Sequence, residues 1–395
     1  MKKFLIVLLA LALVGGFVFA QDAEAPKVKF TGSVNTGAVL TFKDGADSPT
    51  LRDENYNQGD TTRFQFTGNY TAENYGLNFE FKIHLTKGGE FVFPGTYPYY
   101  KLANGAELVL NNVYGWVELL DDVIKLSAGK ITDVWGTGDD IWANYDAITG
   151  FRTEIKPVIG PGKLDVGFAL PFWVSDPPLS YETPSGFDNL NPGFWNTVFG
   201  VSYDISGTFK AVAALKLLPD GNKFPNLLFA INLGDTAPVP GLKVVIDGTV
   251  EGLGSDVEHT TKFDLHEKFS LSEKLLGVTG LSAYIRFQEL FDNKTNKDGD
   301  YSIFRLDINA QVAYKLTPDF TVGLYGGFRA YTDFAGSVIF LRPFLTYAFG
   351  PKATFGFRYN AEYYSDKTSG IGDNFRSLTG VTKHEIGCFF DWSFE

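Results

Sequence analysis

Between residues 27 and 42 every second position is apolar or small: Val28, Phe30, Gly32, Val34, Thr36, Ala38, Leu40 and Phe42. Lys27, Lys29, Thr31, Ser33 and Asn35 occupy the alternate positions. Successive side chains of a strand point to opposite faces, so this period builds one apolar face and one polar face. The same period returns over 61–71, where Phe64, Phe66 and Tyr70 alternate with Arg63, Gln65 and Asn69. It follows again over 75–86, with Leu77, Phe79, Phe81 and Ile83 against Asn78, Glu80, Lys82 and His84. It is cleanest over 301–316, where Phe304, Leu306, Ile308 and Val312 alternate with Arg305, Asp307, Asn309 and Gln311. Alternation sustained over such lengths predicts strands. Further strands are predicted near 108–119, 123–130, 150–158, 163–173, 195–206, 208–218, 226–233, 242–251 and 262–273. The remainder fall near 278–290, 318–331, 337–348, 352–364 and 384–394. Two of these, 226–233 and 108–119, are partly apolar on both faces.

The connections sort themselves by length. Short turns fall near 72–74, 120–122, 159–162, 206–207, at Thr317 and at 350–351. Longer segments, near 43–60, 87–107, 131–149, 174–194, 291–300 and 365–383, come between them, and only 234–241 is long for its place. Such alternation is the signature of an up-and-down barrel with short inner turns and long outer loops. Strands of ten or more residues exceed the usual five or six and match the 9–11 needed to cross a bilayer at a tilt. Phe42, Tyr70, Tyr75, Phe172, Trp195, Tyr347, Tyr363 and Trp392 stand at the ends of apolar faces, where interfacial girdles lie. The fold class expected is all-β: a transmembrane antiparallel up-and-down β-barrel of about 18 strands, or 16 if one hairpin is miscounted, with both termini periplasmic. A soluble sandwich would share the alternation but not the strand length or the charges in mid-strand.

Composition fits an exported β-protein. Met1-Lys2-Lys3 precedes an apolar run from Phe4 to Phe19 that ends at Ala20, the layout of a cleaved signal peptide over 1–20. The barrel is then assigned to 21–395, in the outer membrane of a diderm bacterium. Loss of Lys2 and Lys3 takes the net charge from −12 to about −14, which excludes nucleic acid as a partner. The chain holds 43 Gly, 37 Phe and 19 Tyr but a single cysteine, Cys388, so no intramolecular disulfide can stabilise it.

Two stretches carry a resemblance. The closing run, with Ile386, Cys388, Phe390, Trp392 and Phe394 on one parity, resembles the C-terminal strand of bacterial outer-membrane barrels. The resemblance makes Phe390, Trp392 and Phe394 an assembly signal read by the outer-membrane assembly machinery, although Glu395 follows the final aromatic. The second stretch runs from Gly115-Trp116-Val117-Glu118-Leu119 through Asp121-Asp122 to Lys130, and it resembles the fourth-to-fifth-strand hairpin of general porins of Gram-negative bacteria. In that family the next loop folds into the barrel and narrows the pore. The resemblance therefore implies a constriction loop over 131–149, carrying Asp133, Asp139, Asp140 and Asp146 with Trp135 and Trp142 and no Lys or Arg. It also implies a homotrimer.

A barrel of 16 to 18 strands is too wide for side chains to fill and encloses an aqueous channel unless something plugs it. The polar parities supply its basic wall: Arg63, Lys82, Arg152, Arg286, Arg305, Arg329, Arg342 and Arg358. Guanidinium groups stay charged and, like the ammonium of Lys82, need water or a partner, so these eight are assigned to the lumen. Against them stands local pairing with Asp307, Asp264, Asp247, Glu154 or Glu362. The four histidines show no metal-ligand spacing, and residues 292–300 break an EF-hand pattern at Lys294. No cofactor, no metal and no catalytic residue are expected, and the chain is not read as an enzyme. The expected function is a porin embedded in outer-membrane lipid, passing small hydrophilic solutes and ions, with a weak cation lean or a substrate preference. A surface adhesin anchored by the barrel and a plugged structural or enzymatic barrel are the alternatives.

Overall fold

The structure, a computed structural model, describes residues 27–43, 49–53, 63–85, 99–102, 106–131, 148–173, 197–217, 226–234, 239–251, 261–296, 299–331, 337–365 and 382–394. Eighteen antiparallel strands form one closed barrel. They are β1 (Lys27–Lys43), β2 (Arg63–Thr71), β3 (Tyr75–Leu85), β4 (Ala106–Leu119), β5 (Ile124–Ile131) and β6 (Ile148–Ile155). Next come β7 (Gly162–Trp173), β8 (Val198–Ile205), β9 (Phe209–Lys216), β10 (Asn226–Leu233), β11 (Leu242–Glu251) and β12 (Thr261–Leu271). The last six are β13 (Leu281–Asn296), β14 (Gly299–Lys315), β15 (Phe320–Tyr331), β16 (Ser337–Ala348), β17 (Ala353–Tyr364) and β18 (Thr382–Phe394). The count is therefore 18, not 16. Three short strands, Thr50–Asp53, Tyr99–Leu102 and Val158–Ile159, pair with β1, β4 and β7 respectively.

Each strand pairs with its sequence neighbour, and β18 returns to β1 from Gly32 opposite Phe394 to Lys43 opposite Lys383. Closure leaves the ring without an edge, the condition for a sheet in lipid, where an unpaired backbone group would cost several kcal/mol. The turns at 72–74, 120–123, 206–208, 316–319 and 349–352 are tight and lie at the end where β1 begins and β18 finishes. Another turn at that end holds the single-turn helix α1 (Glu273–Leu276), stopped by Gly277 in the left-handed conformation at φ 69°.

The polarity of the wall is inverted relative to a soluble protein. The alternating apolar positions lie exposed on the outside, as Val312 (51%), Ile339 (53%) and Trp392 (44%) show. Polar and charged residues of the opposite parity are buried: Asp247, His266, Asp307, Asn360 and Glu385. Water on the outside would make such a surface an aggregation hazard, whereas hydrocarbon makes it the favourable arrangement. The seam shows the fit in detail. Phe394 lies over Gly32, where a Cβ would meet its ring at 2.2 Å, and packs edge-on to Phe66 with centroids 5.7 Å apart. Phe390 and Trp392 are exposed on the same outer face.

Candidate functional site: the inner wall of the barrel

Register decides which inward charges meet. On β14 and β15, Asp307 stands opposite Arg329. Arg329 grips its carboxylate with both arms, donating from Nε at 2.6 Å and from Nη2 at 2.9 Å, a fork-on-carboxylate geometry. Arg305 Nε approaches the same carboxylate at 3.4 Å. Asp307 is 1% exposed, so one buried anion is shared by two cations.

The other basic residues of the wall divide by partner. Arg152 and Lys156 both pair with Glu154 at 3.0 Å, Lys82 with Glu80 at 3.3 Å, and Lys125 with Glu118 at 3.3 Å. Arg63 donates to Asn35 at 3.4 Å, and Asn35 in turn donates to Asp391 at 2.8 Å across the seam. Arg342 lies against Tyr325 and Phe340, 5.7 and 5.9 Å from the ring centroids. Arg358, buried, covers Phe389 at 4.4 Å. Among the described residues no carboxylate pairs with Arg286 or Arg342. Local pairing thus accounts for Lys82, Arg152, Arg305 and Arg329, while Glu362 is taken by Lys383 and Tyr364 instead, and Asp264 by His266 and Gln288.

Two networks escaped the sequence reading. Lys383, Glu385, Asn360 and Glu362 form a chain of hydrogen bonds between β17 and β18, with Lys383 Nζ 2.8 Å from Glu385 and Asn360 donating to Glu385 at 2.8 Å. On β11 and β12, His266 sits opposite Asp247 and bonds Asp264 at 2.8 Å. His266 shares the parity of Asp264 and Lys268, which was the available signal.

The inner wall also has an apolar sector. Ala169 of β7, Val198 of β8, Val212 and Ala214 of β9, and Leu228 and Ala230 of β10 are inward and all but fully buried. Ile131, the last residue of β5, belongs to the same cluster, and Tyr114 packs against it. The expected loop residues Asp133, Trp135, Asp139, Asp140, Trp142 and Asp146 lie outside the described residues, and so does the side chain of His84.

Taken together, the wall is a closed ring with charge turned inward and hydrocarbon surface turned outward. No family model matches the sequence, and no curated protein matches it. Solved structures do. OccAB4 of Acinetobacter baumannii aligns at 9% identity over 95% of this chain and 99% of its own, with a TM-score of 0.53. OmpT, an outer membrane protein of Vibrio cholerae, aligns at 15% identity over 94% and 99%, with a TM-score of 0.51. An anion-selective porin from Comamonas acidovorans aligns at 10% identity over 94% and 100%, with a TM-score of 0.49. The fold is that of an outer-membrane porin. At these identities the likeness concerns the porin barrel itself and carries no residue roles across.

Proposed function

We propose that this chain is an outer-membrane porin whose barrel encloses a water-filled path for passive diffusion of small hydrophilic solutes and ions, without catalysis. The observation that carries the reading is closure at 18 strands with inverted polarity, since a ring of this size leaves an aqueous lumen. We assign 1–20 to a cleaved signal peptide, 21–395 to the barrel, and the assembled state to a homotrimer. Phe390, Trp392 and Phe394 serve as the assembly signal.

In this reading the segment 131–149 turns into the barrel. Support comes from Ile131, which is buried in the apolar inner cluster, so the chain leaves β5 already against the inner wall. Asp139 and Asp140 then face the arginine-bearing side, and the channel's selectivity reflects two opposed terms. Net acidity focuses cations at the mouth. Arg286 and Arg342 offer anionic solutes a local contact.

The test is conductance of the folded protein in planar bilayers, with ion selectivity read from the reversal potential in a salt gradient. Stepwise conductance is expected, and protein that is folded but never conducts refutes the channel. The double variant D139N/D140N is expected to lower the cation-to-anion permeability ratio severalfold; an unchanged ratio refutes the inward loop and leaves the channel standing.

A further inference from the structure

Strand register lines up one row of inward side chains across six neighbouring strands near the inner end of the barrel. Lys243 of β11 stands opposite Ser270 of β12, which stands opposite Tyr284 of β13. Tyr284 faces Gln311 of β14, Gln311 faces Tyr325 of β15, and Tyr325 faces Arg342 of β16. In the row above, Lys268 stands opposite Arg286, Arg286 opposite Asn309, and Phe340 opposite Gly327. Neither row carries a carboxylate between β11 and β16. Asp247 and Asp307 stand one row higher again, and Asp307 is held by Arg329 and Arg305.

The same strip carries a line of rings. The Tyr284 and Tyr325 centroids are 6.4 Å apart, and those of Tyr325 and Phe340 are 5.2 Å apart. Cations flank the line: Lys268 Nζ lies 5.1 Å from the Tyr284 centroid, and Arg342 lies 5.7 Å from that of Tyr325. A cavity of about 700 Å³ opens over the β11–β14 half of the strip, lined by Lys210, Lys243, Lys268, Ser270, Tyr284 and Gln311. Gly207 and Ser272 of the inner turns line it as well, so it sits at the inner mouth. Its one lining carboxylate is Asp204 of β8, opposite Lys210, which leaves the cavity with an excess of positive charge. The volume suits a small-molecule site.

We propose that this strip and its cavity bind an anionic sugar, a ring carrying hydroxyls and one carboxylate or phosphate. Three kinds of side chain select it. Lysine and arginine only donate, so they recognise the anionic group, and Lys243, Lys268 and Arg286 take that role. The Ser270 hydroxyl and the Gln311 amide both donate and accept, as sugar hydroxyls do. An inorganic anion or an aromatic acid makes no use of that double capacity. The Tyr284 ring supplies an apolar face with a polar edge, which fits the C–H face of a sugar ring. The inference deepens the channel reading and rests on it for access, since the solute reaches the strip through a wet lumen.

The test takes the full-length folded protein through calorimetric titration in detergent and block of ion current in planar bilayers. The probes are glucuronate, glucose 6-phosphate, glucose and inorganic phosphate, at about 0.1 M salt. At least one anionic sugar is expected to bind about tenfold more tightly than both glucose and phosphate, the effect of one charge-assisted hydrogen bond. Which of the two binds tells carboxylate from phosphate. The variant K268Q/R286Q, checked for folding by its heat-modifiable gel migration, should bring the anionic sugar down to the affinity of glucose. Y284L should weaken the sugar and leave phosphate unchanged. Glucose or phosphate binding as tightly as the anionic sugars overturns the site, as do affinities untouched by both variants. Protein that conducts yet binds none of the probes overturns the site and spares the channel reading, whereas protein that binds them without ever conducting does the reverse.

Discussion

Asp307→Asn separates the structural and the electrostatic work of the inner wall. The carboxylate is 1% exposed and holds Arg329 through two bonds of 2.6 and 2.9 Å, with Arg305 at 3.4 Å. An amide of the same shape presents one acceptor where the fork meets two and removes the negative charge. One charge-assisted bond is worth roughly 1.5–3 kcal/mol. Arg329 is 38% exposed, so water takes up part of that loss and the expected destabilisation is about 1–2 kcal/mol. The permeation effect follows from Coulomb's law. A unit charge about 10 Å from an ion in a water-filled lumen contributes about 0.4 kcal/mol, roughly a factor of two. Anions gain that factor and cations lose it, so the anion-to-cation permeability ratio should rise about fourfold. Screening sets the condition: the shift should be seen at about 0.01 M salt and fade at 1 M, where the Debye length falls to about 3 Å. Reversal potentials at both salts, together with urea unfolding, measure the two effects. A ratio unchanged at low salt in protein that is folded and conducting, or one that moves towards cations, refutes an Asp307–Arg329–Arg305 cluster exposed to the ion path.

Three further outcomes are expected. Phe394→Ala removes the ring that covers Gly32 and meets Phe66 and Trp392, and should cost about 1–3 kcal/mol in the urea midpoint, each aromatic contact contributing roughly 0.5–1.5; an unmoved midpoint contradicts the packing at the seam. Gly32→Ala should be at least as damaging. The added Cβ meets the Gln65 carbonyl oxygen at 2.8 Å as well as the Phe394 ring, and the backbone cannot swing aside. Leu120→Gly should stabilise by about 0.5–1 kcal/mol, because Leu120 is exposed and held at φ 55°, where a side chain clashes with its own backbone; a lowered midpoint would show that the turn at 120–123 depends on the leucine.

What the sequence revealed was whatever depends on parity alone. From Phe304 to Val312 β14 alternates without a break, and its period yields both the strand and the side on which Arg305 and Asp307 lie. β4 was harder for a physical reason. Its apolar residues switch from even (Leu108, Leu110) to odd (Val113, Val117), and the pairing with β3 slips by one residue at Glu80 and Phe81, the mark of an extra residue in one strand. β10 reads as apolar on both faces because Leu228 and Ala230 belong to the buried inner sector. Partners within the wall could not be read, since a contact such as Asp307 with Arg329 depends on register between strands, not on period along one.

The seam between β1 and β18 joins residues as far apart as Asn35 and Asp391, 356 positions along the chain. It therefore sets the timing of folding as well as the geometry. Every other pairing along the ring links neighbours in sequence and can form as soon as two strands have been delivered. The edge of β1 must wait for the last one, and the entropy of joining such distant segments is the largest in the molecule. Until that moment the insoluble exterior is an open sheet. A slip of a single residue at the seam would turn Phe394 into the lumen and its polar neighbours into lipid, so the ring over Gly32 acts as the check that the barrel has shut in the right place.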